Sequence, residues 1–274
     1  MNLQNKNKIY DLFKKHFWRQ HPESALRYAP VISEIKKVKI PNPKILEIGS
    51  GSLGMTPYFK QKIDAIDVDF SGPPSPYINK IKGQAWNLPF KKNSYDITIS
   101  VDVLEHIPPP LREKSIYEII KVTRKLALIV VPTSTASEEQ DRELQRRWNN
   151  VFKIKNQFLD EHVKYGLPQS EKILVYIDRS KRALKKELKV KSYPNLNLVV
   201  RNILMKTWIT KNKYIYYLYL KGFLLLVPIL KFINFGKTYR RVFVIEFASP
   251  ARTQFEPYTT SIEKAKIKFK WGRQ

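Results

Sequence analysis

Short apolar-rich runs alternate with amphipathic stretches through the middle of this chain, the pattern of buried parallel strands joined by helices. Residues 45–48 (ILEI) form the first run, and residues 62–70 (KIDAIDVDF) a second that ends in acids. Residues 97–101 (ITISV) and 126–131 (LALIVV) follow, the last stopped by Pro132. Residues 111–124 between them have helical spacing. Residues 137–148 (SEEQDRELQRRW) predict a polar helix with a serine cap and early acids, and residues 170–183 another helix. Residues 186–193 and 239–248 read as a closing pair of strands, separated by far too many residues for a hairpin.

Outside this core the pattern changes twice. Residues 1–40 predict a separate helical segment: Ile9, Leu12, Phe13 and Phe17 fall near helical spacing, and Pro22 starts a second helix carrying Leu26, Val31, Ile32 and Ile35. Between the last two strands, residues 194–238 hold the most apolar stretch, YIYYLYLKGFLLLVPILKFINF at 214–235. Its length nominally suffices for a bilayer crossing. Lys221, Lys231, Gly222 and Pro228 interrupt it, however, and the chain must return to complete the sheet. A helical hairpin bent at Gly222 or Pro228 is therefore expected, an acceptor lid over residues 196–235 that touches a membrane surface without crossing it. Lys206, Lys211, Lys213 and Lys237 would meet anionic headgroups. A helical subdomain packed on the core, or a dimer interface, is the alternative.

Chemistry enters at residues 44–54 (KILEIGSGSLG), where Gly49, Gly51 and Gly54 give G-x-G-x-x-G after the first strand, with a helix expected from Met55. Such a turn lets backbone approach a ligand. Asp67 lies 18 residues after Gly49, placed to reach a ribose hydroxyl. Nicotinamide and methyl-donor enzymes both fit this far. Residues 83–90 (GQAWNLPF) and 94–108 (SYDITISVDVLEHIP), with Glu47, decide between them. Over residues 44–132 the chain resembles the class I S-adenosylmethionine-dependent methyltransferases, most closely the small-molecule type with "LPF" and "DVLEH" motifs.

That resemblance implies an α/β fold, a Rossmann-like seven-stranded, mostly parallel sheet with helices on both faces, and S-adenosyl-L-methionine as cofactor. It implies that Glu47 helps place the methionine amino group, that Gly49 and Gly51 pass beside the methionine moiety, and that Asp67 accepts the ribose hydroxyls, with Asp69 the second candidate. Gln84 stands where many members carry an acid facing the adenine amino group. Ala85 and Trp86 would lie near the adenine, Trp86 stacking or simply packing. Asp102 ends the fourth strand on the functional side of the sheet. No N-P-P-Y or D-P-P-Y run follows that strand, against base amino-methylation. For a general base, His106, His162 and Glu161 are the candidates, the last two in a turn-rich stretch at residues 158–168 (FLDEHVKYGLP) that also reads as a capping loop.

Composition narrows the setting. No cysteine excludes disulfides and thiolate chemistry, and four histidines without H-E-x-x-H spacing lead us to expect no metal centre. No secretory signal is apparent, and a cytoplasmic setting, with peripheral contact at the inner face of the membrane, fits. The net charge is +26, yet residues 41–134 carry only +3, whereas residues 195–274 carry 15 basic against 3 acidic residues. This excess attracts polyanions or an anionic membrane; a generally lysine-rich surface is the bland alternative. The expected partner is a small-molecule, lipid or lipid-linked saccharide acceptor, with weak, nonspecific nucleic-acid binding at most. RNA methylation, or a non-catalytic membrane or RNA adaptor, stands second. The division expected is a helical segment at 1–40, a methyltransferase domain at 41–250 and a basic tail at 251–274.

Overall fold

The computed structural model describes residues 21–70 and 75–248. The helix expected within residues 6–18 and the basic tail lie outside them. Seven strands form one sheet in the order β3-β2-β1-β4-β5-β7-β6. β1 (Ile45–Ile48), β2 (Ile63–Asp67), β3 (Ile78–Lys82), β4 (Tyr95–Val101) and β5 (Thr123–Pro132) run parallel. β7 (Thr238–Phe247) pairs antiparallel with β5 and with β6 (Leu188–Asn197), as expected for the closing pair. β3 carries no clear signal in sequence: INKIK has two apolar residues and lies at the sheet edge.

Because strand side chains alternate in direction, the continuous apolar runs feed two cores. Ile45, Ile97, Ile99, Leu128 and Val244 face α1 (Pro22–Lys37) with its Tyr28, Val31 and Ile35. Leu46, Ile48, Ile129, Phe243 and Ile245 face Ile116, Ile119 and Ile120 of α2 (Pro109–Val122), and Ile173 and Ile177 of α5 (Ser170–Leu184). Helices thus cover both faces. α3 (Thr135–Phe152) is longer than its sequence signal.

Two expectations fail locally. The stretch read as turn-rich contains a nine-residue helix, α4 (Gln157–Tyr165). Asn156, just before the stretch, caps it by accepting from Leu159 N–H, and Gly166, at φ +64°, ends it. The insertion also reverses elsewhere than expected. α6 (Leu198–Trp208) turns back at residues 209–212, where Ile209 is buried and Asn212 caps α7 (Lys213–Tyr217). α7 continues through a π-helical turn (Leu218–Gly222) into α8 (Phe223–Leu230), so Gly222 and Pro228 lie inside one continuous helix. An asparagine able to satisfy two free N–H groups makes the better corner. Leu204 and Tyr219 bury against Leu26 of α1, tying the insertion to the sheet.

Candidate active site

The carboxyl ends of β1, β2 and β4 meet at the glycine turn. A Cβ at Gly49 (φ +74°) would collide with Val103, just past β4, so the two loops interlock. Gly51 differs: at φ +59° nothing lies within 4 Å of its absent Cβ, and its backbone borders open space. Gly51 N–H donates to Asp67 Oδ2 at 2.7 Å, which sets the half-buried β2 carboxylate beside that opening. Asp69 is exposed, and its N–H donates to Asp67 Oδ1 at 3.3 Å. Residues 51–59 form successive turns instead of the expected helix, Tyr58 and Phe59 N–H both donating to Met55 O. Pro57, without an N–H, cannot add to a helical ladder.

Glu47 sits fully buried beneath the turn. Tyr28 Oη donates to its Oε1 at 2.7 Å and Met55 N–H to its Oε2 at 2.9 Å. Burial, with Asp67 nearby, nevertheless raises its pKa to about 7 against the stabilising Arg27 charge and the two hydrogen bonds. In the unfolded chain this acid ionises near 4.5. Stability of the cofactor-free protein should therefore fall by about 3 kcal/mol as pH rises from about 4.5 to about 7, since the unfolded state releases its proton first. Glu47→Gln keeps both hydrogen bonds, its amide donating to Tyr28 Oη. Urea unfolding at pH 5 and pH 8 should show the variant lacking this loss; parallel pH profiles would refute it.

Asp102, expected at the cofactor, has φ +52° and already spends its carboxylate. Arg240 Nε lies 2.7 and 3.0 Å from its two oxygens, and Arg27 Nη1 is 3.3 Å away. Arg240 also pairs with Glu23, which holds Arg27 at 2.6 Å. These arginines hold both carboxyl groups below the usual carboxylate range despite burial. On the other side, Val68, Lys82, Gly83, Gln84, Asn87 and Pro89 line a cleft of about 400 Å³. Gln84 is exposed there. Ala85 and Trp86 are half-buried and pack against the core, which favours packing for Trp86.

The three base candidates come together. After β4 a 3-10 turn (Leu104–His106) presents His106, and α4 lays Glu161 and His162 across it. His106 Nδ1 is 2.7 Å from Glu161 Oε2, and the two histidine Nε2 atoms are 3.3 Å apart. His162 Nδ1 is 2.8 Å from Asp141 Oδ2 of α3; Asp141 also accepts from Tyr239 Oη at 2.9 Å and pairs with Arg201 at 2.8 Å. Burial and the neighbouring His162 lower His106 to about 4, so it is neutral near pH 7. Glu105 beside it is fully buried, and burial together with Asp102 raises its pKa well above the ordinary range. Asp141, Glu105, Tyr28 and Arg240 escaped sequence reasoning. Their partners are far away in the chain, and only the "DVLEH" run marked Glu105.

Residues 46–131 match the model of a family described as a methyltransferase domain. A search of curated protein sequences gives no match. Among solved structures, a Thermotoga maritima protein described as a possible histamine N-methyltransferase shares 15% identity, covering 89% of this chain and 96% of its own, at TM-score 0.43. YcgJ from Bacillus subtilis shares 14%, over 81% and 99%, at 0.45. The Haemonchus contortus phosphoethanolamine N-methyltransferase 2, bound to phosphomonomethylethanolamine and S-adenosylhomocysteine, shares 15%, over 81% and 53%, at 0.45. Similarity this low carries no argument about the acceptor. The sheet order, the glycine turn and the family match together define a class I S-adenosylmethionine-dependent methyltransferase. The chain carries that family's domain, with S-adenosyl-L-methionine as its cofactor. The open space over Gly51, with the Asp67 carboxylate at its edge, suits such a ligand.

Proposed function

We propose that this enzyme methylates a lipid or lipid-linked acceptor at a membrane surface. Gly49 and Gly51 would pass the methionine moiety, Asp67 would take the ribose hydroxyls, and Gln84 with Ala85 would border the adenine. Glu47 acts from beneath the turn, and Asp102 shapes the site through Arg240 and Arg27. The cofactor supplies a methyl group already activated on a sulfonium, so the protein's task is alignment, which can contribute about 7–11 kcal/mol. His106, Glu161 and His162, brought together beside the glycine turn, form the polar cluster that an acceptor carrying a proton would meet.

One observation carries the acceptor class: the helix Lys213–Leu230 exposes its apolar face. Leu225 is 71% exposed and Ile229 65%; beyond the helix, Phe232 is 73% and Phe235 70% exposed. With mean hydropathy 1.3, the helix is long and apolar enough to cross a bilayer by length and composition. Yet Asn197 and Thr238, which bracket the insertion, are paired in adjacent strands, and α6 is too short to provide a second crossing. An orientation in the membrane interface, lysines at the headgroups, satisfies both facts. Labelled methyl from the cofactor should enter the lipid extract of cells in preference to RNA or free saccharide. The protein should float with anionic liposomes at low salt, and Leu225→Glu with Ile229→Glu and Phe232→Glu should abolish flotation while sparing cofactor binding. Flotation unchanged in that variant, or label confined to RNA, would reject the proposal.

A further inference from the structure

The histidine pair poses a problem of charge and lone pairs. A carboxylate only accepts hydrogen bonds, so Glu161 and Asp141, at 2.7 and 2.8 Å, require protons on Nδ1 of His106 and of His162. Each neutral imidazole then has a bare lone pair on Nε2. Those two atoms face each other at 3.3 Å. Glu105 adds a third unsatisfied group: it is fully buried, neither oxygen has a hydrogen-bond partner from another residue, and Oε1 lies 4.0 Å from His162 Nε2. That separation is too long for a hydrogen bond. Three buried or half-buried electron-pair donors therefore converge on a small space, all within 4.8 Å of one another.

We propose that Glu105, His106 and His162 bind one divalent transition-metal ion. Two nitrogens bound to zinc at about 2.0–2.1 Å and a tetrahedral angle lie about 3.3 Å apart, the separation found here. Glu105 needs only a small side-chain shift to join them. Two imidazoles and one carboxylate form a ligand set that zinc uses in open, reactive sites. The surroundings match as well. Each histidine gives its other nitrogen to a carboxylate, the arrangement that fixes the tautomer and orientation of metal-ligating histidines. Asp141 is itself held by Arg201 and Tyr239. The spacing test applied to the sequence had no reach here, because the ligands come from a 3-10 turn and from a helix more than fifty residues later in the chain.

Three protein ligands leave a coordination position for an oxygen donor. Val103, packed against the glycine turn, puts this site beside the cofactor cradle, so an acceptor bearing a hydroxyl is the class the ion would serve. That role rests on the methyl-transfer reading, whereas binding of the ion does not.

The test uses the untagged full chain, stripped by chelator and titrated with Co²⁺, whose visible absorption reports tetrahedral coordination. One equivalent should saturate the signal, and Zn²⁺ should abolish it. His106→Ala with His162→Ala should remove it, and Glu161→Gln should weaken binding about tenfold or more through the lost carboxylate partner. Calorimetry with S-adenosylhomocysteine establishes that each variant is folded and assays the cofactor reading separately. If neither Co²⁺ nor Zn²⁺ binds saturably to protein that binds S-adenosylhomocysteine, or if the double variant binds as well as the parent, the proposal falls. Metal binding without cofactor binding would overturn the cofactor assignment and leave the ion in place.

Discussion

Asp67→Ala is expected to weaken S-adenosylhomocysteine and S-adenosylmethionine binding at least tenfold while the protein stays folded. Two charge-assisted hydrogen bonds to a ribose, each worth about 1.5–3 kcal/mol, would be lost, and tenfold corresponds to about 1.4 kcal/mol. The variant also removes the acceptor of Gly51 N–H, so the turn itself loosens. Both effects act on the same ligand and in the same direction. Asp69→Ala, at an exposed position, is expected to leave affinity nearly unchanged. Titration calorimetry, with urea unfolding as the control for folding, decides the matter. Unchanged affinity in Asp67→Ala refutes the assignment, and a loss confined to Asp69→Ala exchanges the two roles.

Arg240→Met should produce a large loss of stability. The Arg240 side chain is only 2% exposed and joins Glu23 to Asp102. Removing it leaves two buried carboxylates sharing Arg27, and breaking such a pair costs about 3–5 kcal/mol. For a protein of this size that is roughly a 10 °C fall in Tm. Neutralising one partner is informative. Adding Asp102→Asn to the Arg240→Met variant leaves the Glu23–Arg27 pair at 2.6 Å intact and should recover much of the loss, because the penalty lies in the unpaired charge and not in a missing attraction. The network also sets an acid limit. Glu23 and Asp102 have folded pKa values below their unfolded ones, so their contribution is complete above about pH 4.5 and disappears as pH falls through the folded values. Arg240→Met should flatten that acid limb. A melting curve like the parent's, or an unaltered acid transition, would show that Arg240 is dispensable.

Such effects could not be read from the chain alone, and the reason differs from one feature to the next. Arg240 and Glu23 are separated by 217 residues, and nothing in either neighbourhood marks a partner. His106, Glu161 and His162 were recognisable one by one as proton-handling groups, but only α4 packing over the 3-10 turn brings them into contact. Asp102 stood in the right place in the sequence; its side chain turns out to be claimed by two arginines.

What the sequence by itself determined is the layered core and the cofactor turn. β1, β4, β5 and β7 are strands largely buried on both faces, so each appears as an apolar-rich run with few polar residues in it, and the positive φ values of the turn demand glycines that are visible in the sequence. These are local requirements, written in adjacent residues. β3 is weak in sequence because an edge position needs few apolar side chains. α4 was hidden because Asn156 and Gly166 serve a helix end as readily as a turn. The corner of the insertion, the arginine bridge and the histidine pair were decided only by tertiary structure, since each depends on which distant side chain arrives to satisfy a buried charge, lone pair or apolar surface.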